Sequence, residues 1–378
     1  MGLGKRKREK ARQAFSATMT NRALPTIGWG IFCAASWTWC IGMFLPFVLL
    51  GQFGWPGFLA FLIPNVIGCA AFGYVLTPAR QKFVRERCAG VCLWFSLATM
   101  AYQAFFAGWM LAPPVAFGIV AIAILLAGSF GDRGWVRLAV IVTAASAVCI
   151  GWNFFSGDGA QSTMQLPASG TNPPESLLGL IPVIALGFIA CPYLDLTFHR
   201  ALEKSPSRHA FLVFGIVFGS TLFGVASFWD LKTNGPTITF ALLSLWAIQL
   251  CFTIGAHARE VRPRWRLAGI WVVLLGLALG WITRFAADDS LGDFLGGGEA
   301  TYLRMLVLYG LVFPFFLLFR LRKIPDWLGW LAIAACLPFY ELGFMQNRTD
   351  MLFVPIGLIF VLLIAYLDKG ILKPRANP

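Results

Sequence analysis

Apolar residues along this chain follow neither the two-residue period of strands nor the 3.6-residue period of surface helices. They come as long, nearly uncharged runs, the pattern of helices that cross a hydrocarbon core roughly 30 Å thick. Twelve such runs are predicted, at Ile27 to Leu50, Trp55 to Leu76, Val91 to Leu111, Pro114 to Ser129, Trp135 to Phe155 and Leu177 to Phe198, then Phe211 to Phe228, Thr237 to Ala256, Leu267 to Ala286, Tyr302 to Phe319, Trp327 to Phe344 and Met351 to Leu367. The expected fold is therefore all-α and polytopic. The pattern divides the chain into a basic tail (1–26), five spans (27–155), a Gly-, Ser-, Thr- and Pro-rich loop expected to be flexible (156–176), five more spans (177–320), two further spans (321–368) and a short tail (369–378).

Composition excludes a soluble globule. Of 378 residues, 58% are hydrophobic and only 12% charged, with 35 Phe and 15 Trp, and the mean hydropathy is +0.73. Too little polar surface remains to cover a water-soluble fold. The net charge of +13 would suggest nucleic acid in a soluble protein, but its distribution gives it another meaning. With the N-terminus inside, only Lys232, Arg284, Arg304 and Arg348 fall outside, and the other 26 of 30 Lys and Arg fall inside. That is the positive-inside bias of an even-spanning protein with both termini cytoplasmic, expected in a bacterial inner membrane with the bilayer rather than nucleic acid as its partner. The GKRKREKARQ segment reads as a topogenic tail facing anionic lipid. The nine cysteines lie mostly within spans and suggest no disulfide framework, and His199, His209 and His257, placed at span ends, show no metal-ligand spacing. No metal and no cofactor is expected.

Polar residues inside spans are few: Ser36, Thr38, Asn65, Tyr102, Gln103, Ser146, Asn153, Tyr193, Ser244, Gln249 and Thr253, with the acids Asp195 and Glu341. An interhelical hydrogen bond accounts for most of the neutral ones. Two spans read as interrupted. The first, CAASWTWCIGMFLP, carries Ala34, Ala35 and Ser36, then Trp37 and Trp39, then Gly42 and Pro46; the sixth, LGFIACPYLDLTFHRA, carries Gly187, Cys191 and Pro192 at mid-depth. Each alone reads more readily as an ordinary kink. Together, five spans apart and so oppositely oriented, they match the broken helices that meet at the midplane of an inverted five-plus-five repeat.

Two stretches carry a family resemblance. From Ala34 through GQFGWPGFLAFLIPNVIGCAAFGYVLTPARQK, and again over CPYLDLTFHRALEKSPSRHAFLVFGIVFG, the chain resembles the first two and the sixth core spans of the sodium:solute symporter family, within the wider amino acid-polyamine-cation superfamily. The resemblance implies a LeuT-type fold of ten core spans plus two C-terminal ones. It also implies secondary transport, by alternating access, of a small organic solute held at the broken first and sixth helices. The expected substrate contacts are Ser36, Trp37, Thr38, Trp39, Tyr102, Gln103, Ala190, Cys191, Tyr193 and Gln249, with the aromatic rings as stacking or cation–π surfaces. For the coupling ion, Na+ or H+, the expected groups are the Ala34 and Ala35 carbonyls with Ser244, and Asp195 as a proton carrier, four residues from His199; an interfacial carboxylate is the competing reading of Asp195. The eighth span, TITFALLSLWAIQLCFTIGAHARE, departs from the family in having no adjacent Ser/Thr pair. Two other functions remain open, a non-transporting sensor or structural subunit of a membrane complex, and a membrane enzyme acting on lipid-linked substrates at Asp288, Asp289 and Asp293. A non-enzymatic transporter is the expectation, with substrate, coupling ion and oligomeric state left open.

Overall fold

The computed structural model describes residues 22–156, 166–285 and 296–365. The chain is a helical membrane protein. In order, its helices are α1 (Arg22–Trp37), α2 (Cys40–Phe53), α3 (Trp55–Val75), α4 (Pro78–Arg87), α5 (Ala89–Met110), α6 (Pro113–Ser129), α7 (Asp132–Ser156), α8 (Leu177–Ala190), α9 (Leu196–Lys204) and α10 (Ala210–Ala226). After a two-stranded hairpin, β1 (Trp229–Asp230) and β2 (Gly235–Pro236), come α11 (Phe240–Glu260), α12 (Arg266–Phe285), α13 (Gly297–Arg322), α14 (Asp326–Met345) and α15 (Phe353–Ala365).

Among the described residues, eight helices are long and apolar enough to cross a membrane, and the bent pair α1–α2 supplies a ninth. Every run expected from the sequence has a helix, but three are shorter apolar helices: Pro113–Ser129, Ala210–Ala226 and Thr349–Val361. The first two have 17 residues each, a rise of about 25 Å at 1.5 Å per residue, less than the hydrocarbon thickness. α4 is different again. It is largely polar, carries Arg80, Lys82, Arg85 and Arg87, and is capped by Thr77, whose hydroxyl accepts from Arg80 N.

Helices pack in two groups. In one, α5 lies along α12, and α11 lies against α5, α6 and α7; in the other, α3 packs on α8 and α10, and α10 on α2. Small residues let backbones approach. A Cβ at Gly276 or Gly280 would lie 2.2 Å from the Ala101 or Phe105 carbonyl of α5, and one at Gly255 of α11 would lie 3.0 Å from the Ala123 carbonyl of α6.

The segment expected to be a flexible loop is ordered over 166–176. Thr171 N donates to Gly51 O (3.0 Å), Asn172 N to Gln52 O (2.8 Å), and Trp55 N to Pro167 O (2.9 Å). The physical reason lies in α2, whose last carbonyls have no partner within the helix and accept from this segment instead. The contact demands glycine twice. Gly54 has φ +65°, and a Cβ there would meet Pro167 O at 2.5 Å; a Cβ at Gly170 would meet Gln52 C at 2.1 Å. Gly54→Val and Gly170→Val are each expected to cost roughly 1–3 kcal/mol, read as a lowered thermal midpoint in detergent. Gly118→Ala, where a Cβ meets nothing within 4 Å, is expected to leave the midpoint unchanged.

Candidate functional site

Between α1 and α2 the helix opens at Thr38 and Trp39 and the axis turns by 60°. The break precedes both Gly42 and Pro46, which sit inside α2, so neither is its cause. Local hydrogen bonds make it instead. Thr38 N and Oγ1 both donate to Ala34 O (3.0 and 2.8 Å), Trp39 N donates to Trp37 O (2.8 Å), and the Trp39 indole donates to Ser36 O (2.5 Å). The buried N-terminal end of α2 is capped from α5, where Gln103 Oε1 accepts from Cys40 N (3.0 Å).

The second interruption follows α8. Cys191–Tyr193 forms a single 3₁₀ turn, Leu194 and Asp195 leave the helix, and Asp195 becomes the N-cap of α9, its Oδ1 accepting from Thr197 N and Thr197 Oγ1 at 2.7 Å each. The two breaks meet through Ser36, whose Oγ lies 3.1 Å from Thr197 Oγ1.

A histidine completes the junction, and it is not His199. That residue turns away, its Nε2 2.9 Å from Tyr193 O. His257 of α11 faces the acid instead, with Nε2 3.9 Å from Asp195 Oδ2 and both side chains 0% exposed. Its Nδ1 lies 3.5 Å from Ser96 Oγ, and its ring stands edge-on to Trp39 at 5.6 Å. An acid hydrated at the membrane surface is thus replaced by one sealed inside the protein. The reason His257 was placed at a span end is that α11 continues to Glu260, one turn past the expected boundary.

Aromatic residues of α5 and α13 brace this junction. Tyr309 stacks on Tyr102, stands edge-on to Trp39 at 5.2 Å and donates to Thr99 Oγ1 (3.1 Å); Tyr102 donates to Tyr302 O (2.8 Å), and Tyr302 donates to Cys40 O (3.1 Å). Beside the breaks lies a small apolar cavity of about 40 Å³, walled among others by Trp37, Trp39, Gly187, Cys191, Tyr309 and Tyr340.

Of the expected substrate contacts, Trp37, Trp39 and Cys191 line this cavity. Tyr102 and Gln103 hold neighbouring backbone, Thr38 closes on Ala34, Ser36 joins the two breaks, and Ala190 ends α8. Tyr193 packs on Phe72 at 5.3 Å. Gln249 bonds Ser146 Oγ of α7 (2.8 Å), and Ser244 is a partly exposed residue of α11 several turns from His257. Of the coupling-ion candidates, Ala34 and Ala35 are buried in the last turn of α1 and Asp195 is at the junction. His257, Thr197, Ser96, Thr99, Tyr302 and Tyr309 escaped sequence reasoning. The visible signal for two of them is Tyr302 and Tyr309, one heptad apart on one helix face. Glu341 pairs with Arg304, 2.8 Å between Oε1 and Nη2, both about 41% exposed. Asp288, Asp289 and Asp293 lie outside the described residues.

At the end of the molecule bearing α4, a second polar cluster ties α7, α9 and α11. Arg200 Nη2 donates to Glu260 Oε2 (2.9 Å) and its Nε to Oε1, while its Nη1 reaches Asp132 Oδ1 (3.2 Å), which also accepts from Arg259. Burial alone would lower Arg200, but its hydrogen bonds to Glu260 and the charges of Glu260 and Asp132 outweigh that and hold the guanidinium above its ordinary value. Removing one partner strands a charge with little water around it. Glu260→Gln is expected to cost roughly 1–3 kcal/mol, less than a fully buried pair because Arg200 is a quarter exposed, measured as a thermal midpoint. Glu203→Gln, which loses only the exposed Arg85 pair, should shift it far less.

Comparison with protein-family models, curated proteins and solved structures finds no match.

Proposed function

We propose that the protein is a secondary transporter of a small, neutral or cationic, largely apolar organic solute. In this reading it works by alternating access in a bacterial cytoplasmic membrane, with twelve spans, both termini cytoplasmic, and a LeuT-like five-plus-five inverted repeat followed by two C-terminal helices. The observation that carries the reading is the meeting of two interrupted spans, α1–α2 and α8–α9, around a buried acid and beside an apolar aromatic cavity. Broken helices that converge at mid-depth are how secondary transporters build a solute site from freed backbone.

Helix pairing supports the repeat. With α1–α2 as the first span, α3 the second, α5, α6 and α7 the third to fifth, α8–α9 the sixth, and α10 to α13 the seventh to tenth, a repeat maps each span onto the one five later. The contact of α5 with α12 then has α11 with α6 as its counterpart, and that of α3 with α8 has α10 with α2. Both members of both pairs are present. The short helices fit twelve spans in a bilayer that thins around them, the way a hydrophobic stretch shorter than the hydrocarbon core is accommodated.

The cavity walls carry rings and aliphatic carbon, with the Trp37 indole N–H committed to Asn65 Oδ1 (2.8 Å) and that of Trp39 to Ser36 O. Neighbouring rings take much of each indole, and the part that lines the cavity would stack on a planar or quaternary ammonium solute. In this scheme the Arg200–Glu260–Asp132–Arg259 cluster closes the cytoplasmic side and opens when α9 moves away from α7 and α11.

The test is counterflow into proteoliposomes with radiolabelled choline, uracil and phenylalanine as cationic, heteroaromatic and zwitterionic probes. Saturable exchange of at least one probe is expected, falling about tenfold or more in Trp39→Ala and less in Trp39→Phe. Exchange no greater than in protein-free vesicles for all three overturns the reading.

A further inference from the structure

The cavity and the aromatic brace belong to the solute site, but one pair of atoms in the junction is left without a function by them. Asp195 Oδ2 and His257 Nε2 are buried and have no hydrogen-bond partner, although the rest of Asp195 is fully engaged by Thr197. A buried polar atom without a partner costs about 1–3 kcal/mol, and here two such atoms face each other across 3.9 Å.

The electrical surroundings sharpen the point. Facing Asp195 are Cys33 from α1, Cys69 from α3, Cys92 from α5, Cys191 after α8, Tyr309 from α13 and Glu260 from α11. The thiols and the phenol are neutral groups, and Glu260 is already matched by Arg200. A carboxylate facing a neutral imidazole would therefore be an uncompensated charge in a sealed site, which is expensive. One added proton removes that charge.

We propose that Asp195 and His257 together form the binding site of the coupling ion, and that this ion is a proton. This rests on the transporter reading. The proton comes from water and forms the Oδ2–H bond of Asp195. Oδ2 then donates to the lone pair of Nε2 as the gap closes from 3.9 Å to about 2.7 Å. His257 keeps its own proton on Nδ1, towards Ser96. Release returns the proton to water on the other side and restores the carboxylate, and no other bond forms or breaks. An alkali cation suits these atoms less well. Nitrogen is a poor ligand for a hard cation, Ala34 O already accepts twice from Thr38, and Ser36 Oγ is shared between Cys33 O and Thr197. The proton is placed where it can act on both interrupted spans, since Asp195 caps α9 and His257 stands against Trp39 of the first break.

The experiment is infrared difference spectroscopy of the full-length protein in lipid nanodiscs, titrated between about pH 4 and pH 9 with no solute present. Wild type is expected to show a carboxylic acid carbonyl band whose intensity titrates. Asp195→Asn, which keeps an N-cap for α9, should lose the band. His257→Gln should keep it with its midpoint moved by at least about one pH unit, a tenfold change in proton affinity. Glu341→Gln should leave it unchanged. Absence of a titrating carboxyl band that depends on Asp195, or a midpoint indifferent to His257→Gln, overturns the proposal. The two readings fail separately. Solute exchange in a protein lacking the band removes proton binding at this pair and leaves transport, whereas a titrating band in a protein that exchanges no probe leaves the proton site and removes transport.

Discussion

Hydrocarbon offers no hydrogen bonds, and the backbone at both breaks of this protein answers to that constraint. Opening a helix at mid-depth frees amides and carbonyls that must find partners inside the protein. At the first break Gln103 takes Cys40 N, Thr38 doubles back on Ala34 O, and the Trp39 indole takes Ser36 O. At the second, Asp195 takes Thr197 N, and Cys191 O accepts from Leu194 N and Asp195 N. Two of these partners are the unusual residues of the region, a tryptophan used for its N–H and an aspartate buried beyond the reach of water. The breaks are therefore specified by side chains as much as by backbone, and a conventional leucine at any of these places would leave a polar group stranded.

Much of this could be read from the chain. Long uncharged runs gave away the helical membrane protein, because so few charges leave too little polar surface for a water-soluble fold, and both interruptions lie in segments where small residues give way to aromatic ones. What the chain concealed was position at the scale of one turn. Gly42 and Pro46 are stronger helix breakers than Thr38, yet α2 carries them without opening: Gly42 packs against Leu222 and Phe218 of α10. His257 was hidden by a boundary set one turn early, and His199 was preferred because it is near in sequence. Spacing along one helix cannot show that α11, more than sixty residues onward, delivers the imidazole. Residues 166–176 read as a linker because composition records Gly, Ser and Pro but not the unpaired carbonyls they serve.

The two polar clusters of the molecule divide the labour of charge. The arginine-rich one near α4 balances two cations against two acids, each only partly in reach of water. The inner one has an acid and an imidazole, with no cation matched to it. A chain with a strong excess of positive charge thus places no cation against the buried acid, and the cavity beside the breaks is walled by rings and aliphatic carbon and not by fixed charge. Tyr102, Tyr302 and Gln103 nearby spend their polar atoms on backbone groups.

The segment 166–176 also bears on how the halves of the chain are joined. It is covalently the start of the second half, entering α8, but its backbone is hydrogen-bonded to the turn between α2 and α3 in the first. It is a strut, then, and not a slack tether: the C-terminal end of α2 and the entry to α8 share one fixed point, so a displacement of one relative to the other is smallest there and grows toward the far side of the bundle.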